Sequence, residues 1–318
     1  MSFNILNTLD ISGAPEASSV LSEVGRLETV EPERDLVLSK LSEVHVYISN
    51  CKVRVDKEFL DRAPNLKLIG SPSTGTDHLD LQAIEARGIE LFHIAKEYEL
   101  LNSFTATSEL AFTLLLALNR RLLPAQKCAS EGVWAREYFS GFQLLGKTLG
   151  IIGLGRLGKI SARIGRGFGM RVLACDVEEK SAPGVEVVDI DTLLEQADVV
   201  SVHVHLTPET ENLIGAESFR RMKKNAIFLN TSRGRIVNET ALLNALNSGE
   251  IAGAGLDVVD GEWLDENQLR DHPLIAYSRE NENLIVVPHI GGSTTESIYG
   301  ARVFMAKKIA NFLSDGAI

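Results

Sequence analysis

The segment Thr148–Asp176, TLGIIGLGRLGKISARIGRGFGMRVLACD, limits the possible folds of this chain more than any other stretch. An apolar run (Leu149, Ile151, Ile152) stops at Gly153-Leu154-Gly155-Arg156-Leu157-Gly158. A helical pattern follows, and a second apolar run, Val172–Cys175, ends in Asp176. The order is strand, glycine turn, helix, strand, acid. Gly153 permits the tight turn, Gly155 lets backbone approach a pyrophosphate, and Gly158 lets the helix lie close on the strand. The free N–H groups of the helix start would face the phosphates. Asp176 comes 18 residues after Gly158, where a carboxylate accepts both ribose hydroxyls of NAD and repels a 2′-phosphate. The expected cofactor is NAD.

The flanking sequence alternates in the same way. Before the segment, strands are predicted at Phe3–Leu9, His45–Ser49, Leu66–Gly70 and Ile89–Phe92, with helices such as Asp56–Arg62 and Leu79–Arg87 between them. A long apolar helix, Thr107–Leu123, should be stopped by Pro124. After it the strands are Leu149–Gly153, Arg171–Asp176, Val185–Val188, Val199–His203, Ala226–Thr231, Ala252–Val258 and Leu284–Val287. Gly249 should end the helix Glu239–Ser248. Ser293-Thr294-Thr295-Glu296 reads as a capping box for a last helix with Ile298, Met305, Ile309 and Phe312 on one face. Alternating strands and helices imply parallel sheets covered on both faces. At 318 residues, the expected architecture is α/β, two doubly wound parallel-sheet domains with a cleft between them.

Composition narrows the partners. The net charge is −11 and no Lys/Arg cluster stands out, which argues against nucleic acid and anionic membranes. An anionic substrate would then need local cationic groups. The apolar stretch near Leu110–Leu118 reads as too short to span a bilayer. Cys51, Cys128 and Cys175 are dispersed, as expected of reduced thiols in a cytoplasmic protein. The N-terminal residues carry no signal-peptide pattern.

Three further predicted strands end in reactive side chains: Arg233 after Ala226–Thr231, Asp257 and Glu262 around the end of Ala252–Val258, and His289 after Leu284–Val287. Ligands of open parallel sheets sit beyond the carboxyl ends of the strands, so these groups should converge. Reducing a ketone with NADH needs a proton for the developing alkoxide, and an imidazolium supplies one near neutral pH. A carboxylate partner would favour that charged ring and orient it. A guanidinium would clamp the carboxylate of a 2-oxo acid and polarise its carbonyl. In the first domain, Ser73-Thr74-Gly75 follows a strand, and its glycine could form a backbone anion nest for the same carboxylate. Asp77 and His78 have no third ligand at useful spacing, so no metal site is expected. His203 and His205 alternate along a strand beside the cofactor.

At this point the residues resemble a family, the D-isomer-specific 2-hydroxyacid dehydrogenases. The matching pieces are STGTDHLDL, ATSELAFTLLLALNRR, LLGKTLGIIGLGRLGK, ADVVSVHVHLTPETENLIG, MKKNAIFLNTSRGRIVNE, AGAGLDVVDGE and VVPHIGGSTTES, in the family's order. The resemblance implies a flavodoxin-like substrate domain from 1–102 and 293–318, a Rossmann cofactor domain from 103–292, and a homodimer formed largely through the latter. It casts Arg233 as the substrate-binding arginine, Glu262 as the acid of the dyad and His289 as the proton donor. Ser73, Thr74 and Gly75 become the substrate-carboxylate site. Thr107, Gly153, Gly155, Arg156, Leu157, Gly158, Asp176, His203, Val204, Thr231, Ser232, Asp257, Gly291 and Gly292 fall at cofactor contacts.

The chain departs from the family at the longer stretch Ala95–Asn102, at His205 and Trp263 (both usually proline), and at a polar insertion, Tyr277–Asn283. Only Lys52 is cationic in Asn50-Cys51-Lys52, where phosphoglycerate enzymes carry arginines, which speaks against a phosphorylated substrate. The expected activity is NAD(H)-dependent interconversion of a D-2-hydroxy acid and a 2-oxo acid. The alternative is a non-catalytic NAD(H) sensor of the same fold that binds a protein partner. Formate oxidation is disfavoured because formate enzymes carry glutamine where this chain has Glu262.

Overall fold

The computed structural model describes residues 3–263 and 266–316. The outermost ends of the first predicted domain, 1–2 and 317–318, lie outside them. The chain divides into two compact units, Met1–Phe104 with Thr294–Ile318, and Thr105–Ser293.

The first unit holds five parallel strands: β1 (Phe3–Asn7), β2 (Gly25–Thr29), β3 (Val46–Ile48), β4 (Leu68–Ser71) and β5 (Glu90–His93), in the order β2-β1-β3-β4-β5. This is the flavodoxin-like order. Alternate residues feed two cores, as a sheet buried on both faces requires. Ile5, Val46 and Leu68 pack with Met305 and Ile309, while Leu6, Tyr47 and Ile69 pack with Val37 and Phe59. Strand β2 was not anticipated. Its sequence, GRLET, is polar because it forms a largely exposed sheet edge.

The last helix, Thr295–Ser314, returns to this unit. Its cap is Thr294, whose hydroxyl accepts the Ser297 N–H at 3.3 Å, so the box expected from Ser293 is shifted by one residue. Met305 and Ile309 are buried, and Ile298 and Phe312 flank them half-buried. A side chain at Gly70 would come within 2.6 Å of Ile309, so this glycine lets the helix lie on β4.

The second unit holds seven parallel strands: β6 (Thr148–Ile152), β7 (Arg171–Cys175), β8 (Val185–Val187), β9 (Val199–Val202), β10 (Ile227–Asn230), β11 (Gly253–Leu256) and β12 (Leu284–Val286). Their order is β12-β11-β10-β9-β6-β7-β8. The order reverses between β6 and β9, the switch point at which doubly wound sheets bind dinucleotides. Ile152, Leu173, Val200 and Phe228 enter one core; Leu149, Ile151, Val172 and Leu229 enter the other.

Pro124 does not end the long apolar helix. That helix, Ala106–Asn119, stops earlier, Arg121 turns left-handed (φ 45°), and a second helix, Leu122–Ser130, begins. Pro124 sits in its first turn, where no backbone N–H is needed. The apolar stretch is longer than the sequence reading took it to be, since Tyr98–Asn119 has the length and mean hydropathy of a membrane span. It is interrupted between Leu101 and Ala106, however, and Ala111, Phe112, Leu114, Leu115 and Leu118 are spent on the core. Much of the polar stretch Tyr277–Asn283 is the end of the helix Pro273–Glu280.

Candidate active site

The glycine loop follows β6 at the switch point. Gly153 has φ +96°, and a side chain there would come 2.7 Å from the His203 carbonyl and from Val204. The β6 and β9 loops therefore touch backbone to backbone. A side chain at Gly158 would come 2.1 Å from the Gly153 carbonyl, so only glycine lets the helix Arg156–Gly167 start this close to the turn. At Gly155 the same construction meets nothing within 4 Å. Two glycines are fixed by protein contacts and the middle one faces open space, the cradle expected for a pyrophosphate at a helix start. Arg156 and Leu157 are half-buried in the first turn.

Asp176, at the end of β7, accepts the Leu154 N–H at 2.7 Å and the Glu178 N–H at 3.0 Å. Lys180 Nζ lies 3.2 Å from both carboxylate oxygens. Burial favours the neutral acid, but the two N–H donors and the ammonium outweigh it and hold the carboxyl below its ordinary 3.8. A turn brings Lys180, four residues on, back onto Asp176.

At the end of β9, His203 Nε2 lies 2.9 Å from Ser201 Oγ, and burial pushes its pKa down to about 4, so the ring is neutral. His205 is exposed. After β10, Asn230 shapes the loop. Its Oδ1 accepts the Ser232 N–H at 3.0 Å and its Nδ2 donates to the Arg233 carbonyl at 2.9 Å. Ser232 Oγ donates to Val202 at 2.8 Å. Arg233 is half-buried, with Nη1 donating to the Ser232 carbonyl at 2.7 Å. A side chain at Gly234 would come 2.2 Å from the Val259 backbone. That close approach, which no sequence pattern announced, sets the Arg233 loop against the loop that carries Glu262.

The remaining groups form one connected cluster. His289 Nδ1 lies 2.9 Å from Glu262 Oε1, with side-chain exposures of 30% and 14%. His289 has φ +51°, a left-handed backbone that costs a non-glycine residue about 1–2 kcal/mol. Asp257 holds it there. Its carbonyl accepts the His289 N–H at 2.9 Å, and its carboxylate accepts the N–H groups of Ile290 at 2.7 Å and Gly291 at 2.8 Å. Burial pushes the Asp257 carboxyl up to about 6, against the pull of the His289 charge and the two N–H donors. Gly291 must be glycine, because a side chain there would come 2.6 Å from Asp257 Oδ2 and 3.2 Å from Thr107. Gly292 is exposed and unobstructed. Behind the loop, Glu239 Oε1 accepts the Asp260 N–H at 2.7 Å, and its Oε2 lies 3.0 Å from His272 Nε2.

Ser73, Thr74 and Gly75 belong to the other unit, after β4. Ser73 Oγ donates to the Gly75 carbonyl at 2.8 Å and lies 2.9 Å from Ser71 Oγ. Gly75 is not among the glycines with positive φ. His78, buried nearby, lies 3.3 Å from Ser49 Oγ.

The residues of the second unit fit a dinucleotide. Besides the open cradle at Gly155, three buried polar atoms, His203 Nδ1, Thr231 Oγ1 and Glu262 Oε2, have no hydrogen-bond partner among the described residues. They lie at or just beyond the carboxyl ends of β9, β10 and β11, where a ligand would supply one.

Comparison with known proteins agrees. The family model "D-isomer specific 2-hydroxyacid dehydrogenase, NAD binding domain" matches residues 112–291. A glyoxylate reductase of Thermococcus litoralis is 38% identical over 88% of this chain and 84% of its own. A D-3-phosphoglycerate dehydrogenase of Methanocaldococcus jannaschii is 34% identical over 94% of this chain but 55% of its own. Among solved structures, the TT0316 protein of Thermus thermophilus superimposes with a TM-score of 0.87 at 33% identity, covering 99% of this chain and 97% of that one. A D-lactate dehydrogenase of Aquifex aeolicus, complexed with NAD and lactic acid, gives 0.83 at 27%, covering 98% and 96%. The chain belongs to the D-isomer-specific 2-hydroxyacid dehydrogenases, an oxidoreductase family, and its second unit is the NAD-binding domain.

Proposed function

We propose that this chain interconverts a D-2-hydroxy acid and a 2-oxo acid with NAD(H), in the cytoplasm, as a homodimer. The observation that carries this reading is the 2.9 Å pair of Glu262 and His289 at the carboxyl edge of the cofactor sheet. Bound there, the nicotinamide supplies or accepts the hydride. In reduction, protonated His289 gives its proton to the carbonyl oxygen as it becomes an alkoxide. In oxidation the neutral ring takes the hydroxyl proton. Glu262 fixes the ring through Nδ1 and leaves Nε2 for the substrate. Arg233 takes the substrate carboxylate and polarises the carbonyl.

Glyoxylate is the first substrate to try, because several relatives bear the name glyoxylate reductase. Hydroxypyruvate, pyruvate and bulkier 2-oxo acids follow. Exposed apolar side chains over one stretch of the second unit, Leu122, Leu123, Val133, Trp134, Tyr138 and Leu145, support a second copy as the partner. The test is nicotinamide absorbance with each 2-oxo acid. His289→Ala and Arg233→Ala should each lower turnover by about 10²–10⁴-fold while NADH still binds. Full turnover in both variants, or none of any 2-oxo acid by the parent protein, rejects the proposal.

A further inference from the structure

Next to Glu262 stands Trp263, one of only two tryptophans in the chain. Its indole lies against His289, with ring centroids 5.5 Å apart and planes 35° from parallel. It is 52% exposed, so burial in a core does not account for its position. Among the described residues, the carboxyl groups of Glu262, through Nδ1, and of Asp257, beneath the loop, face the imidazole. Both meet the ring from the β11 side. The indole adds the electron-rich face of the most effective cation–π partner among the side chains.

We propose that Trp263 is a positioning residue for the proton donor: its indole holds the His289 ring against Glu262 and favours the protonated form that reduction requires. This rests on the acid–base role given above to His289. It accounts for a rigid aromatic on an exposed loop directly after the acid. It also separates the jobs around one ring, since Glu262 fixes its rotation by a hydrogen bond and Trp263 supports its face.

The test uses the full chain in a Trp134→Phe background, which leaves Trp263 as the only tryptophan. Trp134 is 88% exposed and outside the site. An imidazolium stacked on indole quenches its emission. Emission should therefore rise as pH increases, with the same midpoint as the falling limb of the reduction rate, and His289→Gln should abolish the change. In kinetics, Trp263→Leu should lower kcat roughly fivefold with KM for the 2-oxo acid little changed, and move the falling limb to lower pH. Trp263→Phe, which keeps an aromatic face, should recover most of both. Emission that does not titrate, or titrates equally in His289→Gln, overturns the proposal. So does a Trp263→Leu protein with the parent's kcat and pH profile, or one matched by Trp263→Phe. The emission readout needs no turnover, so failure of the proposed reaction would appear separately, as a titrating indole in a protein that reduces nothing.

Discussion

Replacing Asp257 by asparagine tests how the catalytic loop is held. In the parent protein one buried residue takes three successive N–H groups, those of His289, Ile290 and Gly291, at 2.7–2.9 Å. Asparagine keeps the size and the backbone carbonyl, but it leaves one side-chain oxygen for two donors and points an amide N–H₂ at the other. The lost charge-assisted bond is worth about 1.5–3 kcal/mol, and the orphaned buried donor costs about 1–3 kcal/mol more. Removing a carboxylate that is only 2% exposed offsets part of this, because burial disfavours its charge. The expected net loss is about 2 kcal/mol. It falls on the segment that holds His289 at φ +51°, so relaxation of that strained residue should take the imidazole away from Glu262. Urea unfolding should show the stability loss at unchanged slope. Steady-state assays should show kcat reduced about 10–100-fold, the equivalent of 1.4–2.7 kcal/mol. A variant with normal kcat and only a raised KM for NADH would refute the reasoning and leave Asp257 as a cofactor contact alone.

Three more changes probe the supports of the site. Gly234→Ala puts a methyl group 2.2 Å from the Val259 backbone; rigid main chain cannot yield cheaply, so about 3 kcal/mol should be lost, and an unchanged thermal midpoint would show the two loops to be independent. Lys180→Met removes the ammonium 3.2 Å from Asp176. It should weaken NADPH severalfold while KM for NADH holds, and equal effects on both cofactors would deny Lys180 any part in their discrimination. His272 is raised above its ordinary 6.5, chiefly by its bond to Glu239. A raised folded value means its contribution to stability is full below 6.5 and is lost as pH climbs through the folded value. The urea midpoint of the parent should therefore fall relative to His272→Gln as pH rises above the ordinary 6.5, and parallel curves would contradict the pairing.

The fold was largely readable because both sheets are buried on both faces. Runs such as Ile227–Leu229 and Val199–Val202 have no polar alternation, and doubly covered parallel strands need none. The same rule explains what was missed. Strand β2 is an edge with a mostly exposed pattern, so GRLET carries no apolar signal. Pro124 reads as a stop, but the break comes from the left-handed turn at Arg121, which the side chain of an arginine does not announce. Where predicted strands ran too long, as at Gly153, Asp176 and Thr231, the surplus residues are the loops that carry the site. Gly153 and Thr231 are buried and Asp176 is half-buried, because they follow strands at or beside the switch point.

The chemistry was legible as residue types at strand ends; the means of holding them was not. His289 and Glu262 could be paired because both follow adjacent strands of one sheet. That Asp257 also fastens three consecutive N–H groups depends on a left-handed histidine, a conformation uncommon outside glycine and adopted by only a few per cent of other residues. Glu239 escaped notice because it lies on a helix and supports the acid loop through the Asp260 backbone, a contact in which Asp260 could be any residue with an N–H. The motifs that hold Gly234 and Gly291 do not say why glycine is needed there; each is required by a main-chain or carboxylate atom less than 3 Å from where a Cβ would stand. Spacing along the chain therefore finds the groups that react. The groups that aim them act through backbone, and backbone atoms are common to every residue type, so the aiming becomes visible only when the loops are seen against one another.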